Sequence, residues 1–118
     1  LMKIFFISND SFLGQELITE LAPNKHFVEV YNNGFTALKD IRETNPEVII
    51  IDSNSEGINP RVLLKLIARD SRLEDSKIFY LKNNPVDDPE KFSKKNEITK
   101  LWFKPVKVSD IINQLSVS

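Results

Sequence analysis

Four β-branched residues stand in a row at Val48-Ile49-Ile50-Ile51, and an aspartate, Asp52, follows them directly. A run of this kind reads as a strand buried on both faces, because a strand with one wet face alternates apolar and polar residues. Strands buried on both faces belong to parallel sheets covered by helices. In such sheets, ligands and chemistry collect at the carboxyl ends of the strands. The run therefore constrains the fold and also marks Asp52 as a carboxylate at the functional edge.

The rest of the chain fits this frame. Apolar runs at Lys3–Ser8, Phe27–Tyr31, Glu47–Asp52, Lys77–Leu81 and Lys100–Phe103 are expected strands. Between them, apolar residues recur at helical spacing. Phe12, Leu13, Leu17, Ile18 and Leu21 form a first stripe, which Pro23 ends. Ala37, Leu38 and Ile41 form a second, closed by Asn45-Pro46. Asn59-Pro60 is an N-cap with proline at the first helical position, and Leu63, Leu64, Leu66 and Ile67 are the expected buried face of a third helix. Asp88-Pro89 repeats that signal for a fourth helix, a weak one with Phe92 as its single large apolar residue between Glu90 and Glu97. A fifth helix is expected from about Val108 to Leu115. The alternation predicts an α/β fold of five β-α units around a doubly wound parallel sheet.

Composition narrows the function classes. The 118 residues carry a net charge of −1, so overall charge draws the domain to neither nucleic acid nor an anionic membrane. The chain has no cysteine, which excludes disulfides and thiolate metal sites. It shows no stretch of membrane-spanning length and no signal-peptide pattern, so a cytoplasmic location is expected. Leu1 ahead of Met2 reads as a cloning remnant, leaving a single domain over 2–118. One histidine, His26, lies in a polar turn and reads as a solvated loop residue. One histidine, three glycines and no Gly-rich phosphate loop argue against an independent α/β enzyme or a flavin binder. Lys91, Lys94 and Lys95 read as a solvated helix face.

The candidate site follows from the topology. Asn9 and Asp10 are read as ending the first strand, and Asp52 ends the third. In a doubly wound sheet these strands are central neighbours. Two carboxylates held together there would repel by about 4 kcal/mol at ~4 Å and an effective dielectric near 20. A hard divalent cation relieves that repulsion, and oxygen ligands favour Mg²⁺. Lys104, followed by Pro105 at the end of the fifth strand, adds a cation to the same rim. Together these groups could carry a phosphoryl group.

The Asn9-Asp10 pair, Asn33-Gly34 with Ala37-Leu38, the run Pro46–Asp52 and Lys104-Pro105, taken in order, resemble the receiver domain of two-component response regulators. The resemblance spans Met2 to about Leu115. It implies the flavodoxin-like (βα)5 receiver fold with strand order 2-1-3-4-5. It also implies a regulatory phosphoacceptor module, not an enzyme in its own right. On this resemblance Asp52 is the phosphoacceptor and Lys104 contacts the phosphoryl oxygens, usually beside a cis peptide bond to the following proline. Asp10 is a direct Mg²⁺ ligand, Asn54 lends its backbone carbonyl, and Asn9 contributes weakly through water. A sensor histidine kinase or phosphotransfer protein is the implied partner. An output domain or a homodimer would be reached through the face of the fourth helix, fifth strand and fifth helix.

Several positions depart from that pattern. Asn9 stands where an acid is usual, and Lys82 replaces the hydroxyl residue at the end of strand four. Asn83 replaces a small residue, Leu101 the aromatic switch residue, and Ser55-Glu56 the usual Met-Pro pair. These departures motivate an alternative: a pseudo-receiver that binds partners without phosphorylation, its Asp52 held by Lys82.

Overall fold

The computed structural model describes residues 2–83 and 98–117. Five strands form one parallel sheet: β1 (Lys3–Ile7), β2 (Phe27–Tyr31), β3 (Val48–Asp52), β4 (Lys77–Lys82) and β5 (Lys100–Phe103). Their spatial order is β2-β1-β3-β4-β5, as the resemblance implies. Four α-helices are described: α1 (Ser11–Leu21), α2 (Gly34–Thr44), α3 (Pro60–Ala68) and α4 (Val108–Val117). The helix expected after Asp88-Pro89 lies outside the described residues.

The pleat sorts the apolar residues onto two faces. Phe5, Ile7, Ile49, Ile51, Ile78 and Tyr80 meet residues of α2 and α3 on one side. Ile4, Phe6, Ile50, Phe79 and Leu81 meet residues of α1 and α4 on the other. All five residues of β3 are buried, as the unbroken run Val48–Ile51 requires of a central strand. Three stripe residues fall outside the core. Phe12 is 85% exposed, and Ile18 and Leu66 are also exposed. Each lies at the margin of its helix's apolar arc, so helical spacing alone places it too far inward.

Local chemistry fixes the helix starts. Asp10 caps α1 by accepting from the Leu13 N–H, Asn33 caps α2 at Phe35 and Thr36, and Asn59 caps α3 at Arg61. Asn33 and Gly34 are thus the cap and first residue of α2. His26 is not simply solvated: its Nδ1 accepts from the Met2 N–H at 2.9 Å, tying the start of β1 to the start of β2.

The loop after β3 is fastened to the loop after β2. The Gly34 N–H donates to the Glu56 carbonyl at 2.8 Å, and the Glu56 N–H donates to the Asn32 carbonyl at 2.9 Å. Gly57 closes this junction at φ +88°, and a Cβ there would collide with the Asn33 side chain. Gly57→Ala combines left-handed strain with a clash at the α2 cap. It is expected to cost about 2 kcal/mol or more, read as a lower urea midpoint at an unchanged slope.

Candidate functional site

Register builds the site. Ile7 pairs with Ile51 across β1 and β3, so the next residues, Ser8 and Asp52, come side by side. The pleat puts Ser8 on the face of Phe6, and Asp52 on the face of Ile50. Trp102, two residues before Lys104 on β5, belongs to the same face, so Lys104 follows it there. Three polar side chains therefore converge above one half of the core.

Asp52 is fully buried and held by three polar partners. Its Oδ2 accepts from the Ser8 hydroxyl at 2.6 Å and pairs with Lys104 Nζ at 2.6 Å. Its Oδ1 accepts from the Asn54 N–H at 2.9 Å. A buried carboxylate is tolerated only when paired and hydrogen-bonded, and all three partners are donors. The Lys104-Pro105 peptide bond is cis. Asn54 and Asn83 join the loops after β3 and β4 by reciprocal amide bonds. Asn83 donates to Asn54 at 2.7 Å, and Asn54 donates to Asn83 at 3.1 Å. Neighbouring Tyr80 has its hydroxyl pushed up to about 12; burial does most, Arg61 opposes it, and the Asp52 charge adds to it.

The expected site residues are only partly brought together. Asp52 and Lys104 meet as anticipated. Asn54 is in place, but its carbonyl accepts from the Asn9 N–H at 2.7 Å. Asn9 itself is exposed. Asp10 stands two residues beyond Ser8, the residue level with Asp52: its Oδ1 caps α1, and it lines a cleft with Phe12, Lys104 and Pro105. The residue beside Asp52 is Ser8, which sequence reasoning counted only as the last residue of the first strand. The signal was present in the two expected strand runs, Lys3–Ser8 and Glu47–Asp52, whose equal lengths bring Ser8 level with the aspartate. Lys82 is buried at the end of β4, and alternation places it with Tyr80 on the face opposite Asp52. Leu101 and Trp102 also divide between the two faces, and Trp102 meets Phe79 edge-on at 5.4 Å.

This donor set does not fit Mg²⁺. The ion wants a near-octahedral shell of oxygens, usually anchored by one or two carboxylates. Among the described residues, Asp52 is the buried carboxylate at the strand ends, both its oxygens are engaged by donors, and an ammonium adjoins it. Among the described residues, no three His, Cys, Asp or Glu side chains gather where they could hold a metal ion.

Known structures share this architecture. The receiver domain of Francisella response regulator 1452 superposes with a TM-score of 0.85 at 20% identity, over 99% of this chain and 95% of that one. The chemotaxis response regulator CheY4 of Vibrio cholerae gives 0.86 at 19% identity, over 99% and 98%. This chain has the receiver fold. A third similar structure is the receiver domain of sensor histidine kinase PA1611 from Pseudomonas aeruginosa PAO1, at a TM-score of 0.82 and 14% identity, over 98% of this chain and 95% of that one. That domain holds a magnesium ion in its active-site cleft. No protein-family model matches the present chain, and no curated protein matches it. The receiver fold is therefore recognisable here in three dimensions, while the site at its strand ends has its own composition. No helix among the described residues is long and apolar enough to cross a membrane.

Proposed function

We propose that this domain is a signalling receiver of the two-component type, with Asp52 as the phosphoryl acceptor and the Asp52 pocket as its input site. One observation carries the reading: a fully buried aspartate at the end of the central strand, with Lys104 Nζ at 2.6 Å. That pair supplies a nucleophilic oxygen and a fixed cation beside it. In the reaction an Asp52 oxygen bonds to phosphorus, and the bond from phosphorus to the donor breaks. The donor group leaves with that electron pair, as acetate when acetyl phosphate is the donor. Lys104 balances the charge that the phosphoryl group adds. The acceptor is fully buried at rest, so its pocket opens before a donor reaches it. A histidine kinase or phosphotransfer protein is the natural donor, and altered affinity for a protein partner is the output.

With one lysine as the cation, transfer is slow. A divalent ion supplies several kcal/mol of charge stabilisation that this pocket lacks. Incubation with acetyl phosphate is expected to add one phosphoryl mass to the intact wild-type protein, and none to Asp52→Asn. A second reading, a constitutive binding module, is favoured by the complete set of donors already satisfying Asp52. Under that reading the wild-type mass stays unchanged while partner binding persists.

A further inference from the structure

We infer that Ser8 shuts divalent cations out of the Asp52 pocket, and that its hydroxyl and the Lys104 ammonium together hold the buried carboxylate without a metal. Ser8 is 3% exposed and lies level with Asp52 across the β1–β3 pair. It is therefore the side chain that decides what faces the carboxylate from β1. Its hydroxyl donates to Asp52 Oδ2 and at the same time accepts from the Asp10 N–H at 2.9 Å. That second bond fixes the hydroxyl's direction, because the oxygen receiving the Asp10 N–H turns its own proton toward Asp52. A hydroxyl so placed gives the carboxylate a hydrogen bond and adds no negative charge. A second carboxylate in the same place would repel Asp52 and draw in a hard cation to relieve the repulsion. Asp10 stands two residues further along and commits its Oδ1 to the α1 cap. The choice between an internal lock and a cation site thus falls on one side chain. The inference rests on the pocket's geometry alone, so it stands or falls separately from phosphoryl transfer.

Thermal melting with and without about 10 mM Mg²⁺ tests it. Wild-type protein is expected to shift by less than ~1 °C, and Ser8→Asp to gain about 3 °C or more from the ion. Ser8→Ala, which removes the hydroxyl and adds no charge, is expected to stay insensitive to Mg²⁺. A Mg²⁺-dependent rise in the wild-type melting temperature overturns the inference. So does a folded Ser8→Asp that ignores the ion. If Ser8→Asp fails to fold, the backbone amide resonances of Asp52 and Asn54 in the wild type decide. No saturable change on Mg²⁺ titration upholds the inference, and a saturable change overturns it.

Discussion

Lys104→Met is expected to destabilise the domain by about 3–5 kcal/mol, the usual consequence of leaving one member of a buried ion pair unpaired. Asp52 is fully buried and the Lys104 side chain is 17% exposed, so water cannot restore the lost cation cheaply. The melting temperature should fall by roughly 10–20 °C for a domain of this size. Asp52→Asn should cost less. An amide keeps acceptor and donor groups for Ser8 and Asn54, and Lys104 can turn toward solvent at its partly open end. The double variant should recover much of the Lys104→Met loss, since no charge is then stranded. Urea unfolding of the four proteins gives the coupling energy directly. Strict additivity would mean that the 2.6 Å pair contributes nothing.

Phe79→Ala should be comparably damaging, at about 3–5 kcal/mol. Phe79 is fully buried on β4 and meets Trp102 of β5 edge-on, with ring centroids 5.4 Å apart. The cavity would open between the two strands and beneath α4. β5 carries the chain into Lys104, so looser packing here also loosens the cation over Asp52. The expected signs are a lower urea midpoint and a weakened near-ultraviolet dichroism of Trp102. A midpoint unchanged within about 1 kcal/mol would mean that β5 packs independently of this contact.

Most of the fold was legible in the sequence because its signals are local. The run Val48–Ile51 announces a strand buried on both faces. Asn59-Pro60 announces a helix start, and the spacing of Leu13, Leu17 and Leu21 shows which side of α1 is inward. The site was legible only in outline. Asp52 and Lys104 stand at strand ends that hydrophobic runs define well. Ser8, Asn9 and Asp10 form a polar string in which any member can end a strand, cap a helix or face a neighbour. What separates them is the register of β1 against β3, a contact between residues 44 apart in the chain. A two-residue shift of register, which keeps the face, would exchange the Ser8 hydroxyl for the Asp10 acid at the pocket and change its electrostatic character. The exposed positions of Phe12 and Leu66 have a similar origin, since helical spacing fixes a face but not the edge of its burial.

The central claim is that Asp52 accepts a phosphoryl group in a pocket whose cation is Lys104. The most direct measurement is an intact-mass time course with acetyl phosphate, run on the wild type and Asp52→Asn with EDTA present. The account predicts slow accumulation of a single phosphoryl adduct on the wild type and none on the variant. Wild-type protein that stays unmodified after prolonged incubation would contradict it.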